Sequence, residues 1–145
     1  MYETILLPTD GSENAQLATE RAIDTAARHD ATLHVLYVVE KTRDDPTQTS
    51  PEEKLAKERN EGRDVIEAVE QQVTGMDVNI KTHIERGVPR TEIEKYADEY
   101  DIDLITIGST GASDVSEKLL GTVAKYVVNE APADVLVVRH DDVLS

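Results

Sequence analysis

The spacing of apolar residues along the chain predicts strands that alternate with helices. Short runs of Ile, Leu and Val bounded by turn residues are typical of strands, whereas apolar residues three or four positions apart are typical of helices that face a core. The predicted strands are Glu3–Leu7, Ala31–Val39, Val78–Ile84, Leu104–Ile107 and Val135–Val138. The predicted helices are Glu13–Arg28, a helix from Pro51 to near Thr74, a third that follows Pro89, and Val115–Asn129.

This alternation favours a mainly parallel sheet with helices on both faces, because right-handed crossovers connect parallel strands. We therefore expect one α/β domain over residues 1–145, with a doubly wound, five-stranded parallel sheet of order 3-2-1-4-5, as in Rossmann-like and flavodoxin-like proteins. The third strand alternates apolar and polar residues, which is typical of an edge strand. The polar segment Lys41–Ser50 is expected to form a long loop.

Turn-forming residues follow the predicted first and fourth strands. These are Pro8-Thr9-Asp10-Gly11 and Gly108-Ser109-Thr110-Gly111. In this strand order the two segments flank the switch point of the sheet, where doubly wound proteins bind their ligands. Backbone N–H groups of glycine-rich turns can converge on a phosphate. The sequence thus predicts a phosphate site at this edge, which Gly121 and Thr122 would complete.

Composition excludes several classes of function. The chain has 30 Asp and Glu against 15 Lys and Arg, a formal net charge of -15, so general binding to nucleic acids or to anionic membranes is not expected. No apolar run is long enough to cross a membrane, and the first residues do not resemble a signal peptide. Because there is no cysteine, disulfides, a thiolate nucleophile and cysteine-bound zinc are excluded. A cytoplasmic location is expected.

The acidic residues are spread over the whole chain, and both Phe and Trp are absent. We hypothesise that the protein works in concentrated salt, as in a halophile, where screening shortens the range of charge repulsion. Unfolding midpoints that rise in molar KCl would support this hypothesis, and midpoints insensitive to KCl would contradict it.

Other nucleotide and phosphate motifs are missing. The chain has neither the GxxxxGK[ST] of P-loop proteins nor a GxGxxG after its first strand. The third strand ends in Ile84-Glu85-Arg86, without the aspartate that a phosphoacceptor domain needs. The histidines have no metal-ligand spacing and are interpreted as structural or surface residues. Ser109 and Ser116 have no visible His–acid support for a hydrolase triad.

The glycine pattern Gly108-x2-Gly111-x9-Gly121-Thr122 resembles that of universal stress proteins of the ATP-binding type. The opening ILLPTDGS, the Gly87-Val88-Pro89 turn and the closing VLVVR resemble the same family, over essentially the whole chain. The resemblance implies that ATP, or AMP or ADP, lies across the switch-point crevice. It further implies that the adenosine contacts Pro8, Thr9, Asp10 and the main chain of Val38. The ribose and phosphates would contact Gly108, Ser109, Thr110, Gly111 and Ala112. The end of the phosphate chain would be held by Gly121, Thr122 and Val123.

Asp10 has two interpretations. It could bind a ribose hydroxyl or help the phosphates hold Mg²⁺, or it could be an Asx-turn residue that shapes the loop before the first helix. The site also departs from many relatives, because Ala112 stands where they have Arg or Lys. Asp114 and Glu117 add negative charge near the expected phosphates, which should weaken ATP binding.

The expected function is therefore a stress-response module that binds an adenine nucleotide with little or no turnover. One alternative is a slow ATPase or autokinase that phosphorylates Thr110, Ser113 or Ser116. Another is a dimeric scaffold of the same family that binds no nucleotide. A homodimer is expected because the apolar strand Val135–Val138 would leave an edge exposed, and the resemblance implies antiparallel pairing of this strand across a two-fold axis.

Overall fold

The computed structural model describes residues 1–40, 51–110 and 121–139, in which strands and helices alternate. The strands are β1 (Thr4–Pro8), β2 (Thr32–Glu40), β3 (Asn79–Gly87), β4 (Leu104–Gly108) and β5 (Asp134–Val138). The helices are α1 (Glu13–His29), α2 (Pro51–Gln72), α3 (Pro89–Glu99) and α4 (Thr122–Glu130). The strands pair in parallel in the order β3-β2-β1-β4-β5. The predicted fold class and strand order are confirmed.

Helix α1 is favoured both by the residues that cap its start and by its buried apolar face. Ser12 is the N-cap and its side chain accepts a hydrogen bond from the N–H of Ala15 at 3.2 Å, while Glu13 places an acid in the first turn. The face made by Ala18, Ala22 and Ala26 is almost completely buried. Small side chains on this face allow the helix backbone to lie close to the sheet.

The core consists of two apolar clusters, one on each face of the sheet. Successive side chains of β1 point to opposite faces, so Ile5 and Leu7 join the cluster beneath α1 and α2, and Leu6 joins the cluster beneath α3 and α4. All three are fully buried. Each such burial contributes roughly 1.5–3 kcal/mol to folding, so the central strand is held firmly at the place where its end borders the switch point.

Two predicted helix boundaries need correction. Helix α2 ends at Gln72 and not near Thr74, because the N–H groups of Val73 and Thr74 bond to carbonyls three residues back and tighten the turn. Gly75 follows with a φ of 83°, as predicted for a residue that ends a helix.

The helix predicted to run from Val115 through Gly121 is wrong at Gly121. That residue is extended, with φ −66° and ψ 165°, and is the N-cap of α4. Residues 115–120 and the predicted loop 41–50 lie outside the described residues. Ala131 caps the C-terminal end of α4, next to Pro132, as expected.

A group of polar rings lies between α3 and the sheet. The hydroxyl oxygen of Tyr96 is 2.7 Å from Nδ1 of His34 and 2.8 Å from Nδ1 of His83. Tyr100 stacks on Tyr96 with ring centroids 4.3 Å apart. We call His34, His83 and Tyr96 the histidine–tyrosine cluster. The interpretation of these histidines as structural agrees with this arrangement, although their shared partner was not predicted.

Within the described ranges, no helix combines the length and the apolar character that a membrane crossing requires.

Candidate functional site

A cleft of about 640 Å³ opens at the carboxyl ends of β1, β2 and β4. Its walls are the residues that follow β1 and β4, the end of β2, part of α2, and the first turns of α3 and α4. The predicted site residues that line it are Pro8, Thr9, Asp10, Val38, Gly108, Ser109, Thr110, Gly121, Thr122 and Val123. The remaining two, Gly111 and Ala112, lie outside the described residues.

The turn after β1 is fixed by its own hydrogen bonds. The N–H of Thr9 donates to the carbonyl of Leu36 at 3.0 Å, and Thr9 Oγ1 accepts from the N–H of Gly11 at 3.2 Å. Oδ1 of Asp10 accepts from the N–H of Ser12 at 2.9 Å, which is the Asx-turn geometry considered above. Asp10 therefore shapes this turn while its exposed side chain borders the cleft.

Gly11 is required by this turn. Its φ is 79°, and an added Cβ would lie 2.7 Å from Cγ2 of Val65 on α2. Any side chain here would strain the backbone and push α2 away from the β1 turn. The first half of the site is thus a rigid turn clamped between the sheet and α2.

The residues after β4 are held by Asn14, a buried residue in the first turn of α1. An added Cβ on Gly108 would lie 3.0 Å from the end of the Asn14 side-chain amide. With its amide oriented to satisfy both ends, Oδ1 of Asn14 accepts from the N–H of Thr110 at 3.2 Å and Nδ2 donates to the carbonyl of Val138 at 3.3 Å. Asn14 thereby joins α1 to the ends of both β4 and β5.

Ser109 has no polar group directed at the cleft. It is fully buried, its N–H donates to the carbonyl of Val138 at 2.9 Å, and its carbonyl accepts from the N–H of Gly121 at 2.6 Å. Its Oγ lies 3.3 Å from the side-chain amide of Asn14, and the same amide lies 2.6 Å from Oγ1 of Thr110. We interpret Ser109 as the residue that aligns the two glycine segments, with Thr110 beside it at the wall of the cleft.

Helix α4 begins in the cleft without a side-chain cap. Gly121 is its N-cap, and the N–H groups of Thr122 and Val123 in the first turn have no partner within the helix. Thr122 is exposed and its hydroxyl adds one more donor at this end. This turn can therefore bind an anionic group, and the positive end of the helix dipole favours one.

The end of β2 presents its backbone to the cleft. Strand β1 ends at Pro8, opposite Leu36, whereas β2 continues to Glu40 alongside β3. The carbonyl of Leu36 points towards β1, since it accepts from Thr9. Val38 lies two residues further along, so its N–H and C=O point to the same side, where β1 has ended. These two groups can hydrogen-bond a flat heterocycle edge-on.

The charged residues in the described wall of the cleft are mostly acidic. Its charged residues are the acids Asp10, Glu40, Glu58 and Glu61 and a single cation, Arg90. Burial, and then the charges of Glu61, Asp10, Glu58 and Glu40, raise the pKa of Tyr37 at the same wall. A bound anion would thus meet repulsion from the side formed by β2 and α2.

Nowhere in residues 1–40, 51–110 and 121–139 do three or more His, Asp or Glu side chains form a group that could hold a metal ion. Asp10 is the carboxylate of the β1 turn that borders the cleft.

Several residues that line or support the cleft were not predicted from the sequence. Asn14 occupies an inward-facing position of α1, four residues before Ala18, and a polar residue in an apolar stripe was the available signal. Tyr37 and Glu40 flank the predicted Val38. Arg90 directly follows the Gly87-Val88-Pro89 turn, which the sequence analysis uses only for the family resemblance.

Comparison with known proteins identifies the family of this chain. The family model described as the universal stress protein family matches residues 1–139. The chain is similar to a universal stress protein of Methanocaldococcus jannaschii, 35% identical over 144 residues, which span 96% of this chain and 83% of that protein.

Two solved structures share the fold. The universal stress protein UspA of Lactobacillus plantarum is 36% identical, with a TM-score of 0.85 over 95% of this chain and 98% of that one. A universal stress protein in complex with cAMP is 25% identical, with a TM-score of 0.72 over 97% of this chain and 99% of that one.

Proposed function

The chain belongs to the universal stress protein family, and we propose that it binds an adenine nucleotide in the cleft at the switch point of its sheet. In this proposal it is a cytoplasmic stress-response module whose nucleotide state controls signalling or protection. The cAMP complex of a relative supports an adenine nucleotide as the ligand class. The observation that carries the proposal is the single cleft that joins the backbone edge of β2 to the first turn of α4.

The adenine ring is assigned to the Val38 side of the cleft. The N–H and C=O of Val38 offer one donor and one acceptor in a row, which complements the ring nitrogen and the amino group of adenine. Apolar side chains of Leu36, Val39 and Ile93 also line the cleft and can pack against a planar base.

The ribose and phosphates extend from there towards α4. Asp10 is placed to accept from a ribose hydroxyl, while Thr122 and Val123 offer N–H groups to a phosphate. The buried bonds of Ser109 fix the spacing between these two sides. In this proposal Ser109 contributes to binding only by holding the backbone on these two sides in position.

For ATP, Mg²⁺ would be held mainly by the phosphates, with Asp10 as the one protein carboxylate at this turn. The metal would offset the negative charge that the acidic wall and the phosphates share. Oδ1 of Asp10 already accepts from Ser12, so the carboxylate is oriented before the ligand arrives.

Turnover is expected to be slow at most. The hydroxyl of Thr110, one predicted acceptor of phosphate, contacts the Asn14 amide at 2.6 Å. Ser113 and Ser116, the other two, lie outside the described residues. Turnover well below about 1 s⁻¹, an ordinary enzyme rate, would agree with a binding module.

We further propose a homodimer formed through β5. This strand lies at one edge of the sheet, and Leu136 on it is 37% exposed. An exposed apolar edge strand favours pairing with a second copy. Light scattering at working salt should give the mass of a dimer, and a monomeric mass would contradict the proposal.

The ligand can be identified directly. The purified protein should be washed, denatured with acid or heat, and the released small molecules identified by mass spectrometry. Release of an adenine nucleotide, or calorimetric binding of added AMP or ATP to the washed protein, is the expected result. Protein that releases no nucleotide and gives no binding heat with either, at low and at molar salt, would contradict the proposal.

A further inference from the structure

We infer that Arg90 sets the preference of this cleft for phosphorylated ligands over uncharged nucleosides. The inference rests on the proposed function. Among the described residues that line the cleft, Arg90 is the one cation, and it faces four carboxylates.

The side chain of Arg90 is held in place without being neutralised. Its Cζ lies 5.7 Å from the centre of the Tyr126 ring, and the Tyr126 hydroxyl donates to Oε1 of Glu94 at 2.6 Å. Stacking on an aromatic face orients a guanidinium and leaves its N–H groups available. Within the described residues no carboxylate forms an ion pair with Arg90.

Arg90 also occupies a position that an empty cleft disfavours. It is the second residue of α3, after Pro89, and a cation in the first turn of a helix interacts unfavourably with the helix dipole. The contact with Tyr126 places Arg90 beside α4, four residues after Thr122, with which α4 begins. Glu92 in the first turn of α3 offsets part of the unfavourable interaction between Arg90 and the helix dipole, but its carboxylate lies beside Gly87. A bound phosphate would turn this repulsion into attraction.

The test compares Arg90→Gln with Arg90→Lys by calorimetry, using adenosine, AMP and ATP in EDTA. Arg86→Gln is the matched control, because Arg86 is exposed on β3 and does not line the cleft. Loss of a charged hydrogen bond is expected to weaken AMP binding by Arg90→Gln about tenfold to a hundredfold, with adenosine affinity unchanged. Arg90→Lys should recover part of the loss, and Arg86→Gln should change neither.

The two proposals fail in different ways. If the wild-type protein binds no adenine compound, the proposed function is wrong. If the wild type binds AMP and Arg90→Gln binds AMP equally well, the inferred role of Arg90 is wrong. It is also wrong if the variant loses affinity for adenosine and for AMP to the same degree. In both cases the proposed nucleotide site in the cleft is retained. Thermal unfolding of each variant, expected to match the wild type, verifies that this exposed substitution leaves the fold intact.

Discussion

The cleft and the histidine–tyrosine cluster both gather polar groups at the sheet, on strands that lie next to each other. In the cluster, polar side chains bond to one another: the Tyr96 hydroxyl contacts Nδ1 of both His34 and His83. In the cleft, the backbone groups of Val38 and of the first turn of α4 point into open volume. Polar side chains that meet are therefore not by themselves a binding site.

The difference follows from where each group lies along the strands. The cluster is in the body of the sheet, where α3 covers it and desolvation requires every polar group to be paired. The cleft begins where β1 stops and β2 continues, so no neighbouring strand covers the last part of β2. Binding capacity arises from strands of unequal length at the switch point.

Substitution of Gly121 by Val should have the largest effect on the cleft. The backbone of Gly121 is extended and suits any residue, so the substitution adds volume without demanding a new backbone conformation. Because that volume lies where phosphate must approach, AMP affinity should fall at least about a hundredfold, roughly 2.7 kcal/mol. Calorimetry measures the loss and circular dichroism verifies folding. Unchanged affinity in a folded variant would mean that phosphate is held elsewhere.

Tyr96→Phe should do the opposite: it should weaken the fold and leave binding alone. Removing the hydroxyl leaves Nδ1 of His34 and of His83 without their shared partner, which should lower the free energy of unfolding by about 1–3 kcal/mol. Tyr100→Phe is the matched control, since its ring stacks in the same group but is more exposed. Urea titration measures both variants. A large loss of AMP affinity in Tyr96→Phe with no loss of stability would contradict the assignment of the cluster to folding and of the cleft to binding.

The cluster should also make stability depend on pH. Burial, and then the charges of Lys81 and His83, lower the pKa of His34 below its usual 6.5. The unfolded chain therefore takes up this proton first as pH falls, so the stabilisation is complete above about pH 6.5 and is lost below it. The other titratable groups around the cluster are Tyr96, whose pKa burial raises, together with Tyr100, Glu85 and Glu99.

Unfolding free energies between pH 8 and pH 5 measure this loss. One proton corresponds to at most about 1.4 kcal/mol per pH unit. His34→Gln should show a shallower decline than the wild type over the same range. Parallel curves for the two proteins would assign the decline to the carboxylates alone.

The smallest expected effect separates the two roles of Asp10. Asp10→Asn keeps a side-chain oxygen for the Ser12 N–H and removes the charge. Stability should therefore change by less than about 0.5 kcal/mol. The gain in ATP affinity on adding Mg²⁺ should become several-fold smaller, as calorimetry with and without EDTA would measure. A full Mg²⁺ effect in this variant would leave Asp10 with its turn role alone.

Most of the fold could be predicted because its signals are local. Runs such as Ile5–Leu7 and the spacing of Ala18, Ala22 and Ala26 report strands and helices directly, and the alternation of elements limits the topology. The end of α2 and the start of α4 were harder, since they depend on individual hydrogen bonds such as that between Gly121 and Ser109.

The site could be predicted only where a motif marks it. The segments Pro8–Asp10 and Gly108–Thr110 were found from their turn residues and do meet in one cleft. Arg90 lines the cleft from α3, and Asn14 holds the residues after β4 from its buried place in α1. The bond of His34 and His83 to one hydroxyl depends on how α3 packs. Such contacts are tertiary, so periodicity and spacing do not reveal them.

The central claim is that an adenine nucleotide binds with its base at Val38 and its phosphate at α4. Titration of AMP into isotope-labelled protein, followed by backbone amide chemical shifts, tests this position directly. The account predicts the largest shifts at Val38 and at Thr122 and Val123, with adenosine moving Val38 but not the two residues of α4. Shifts centred instead on the smaller pocket between Gly11 and Val65, or no shifts at saturating AMP, would contradict it.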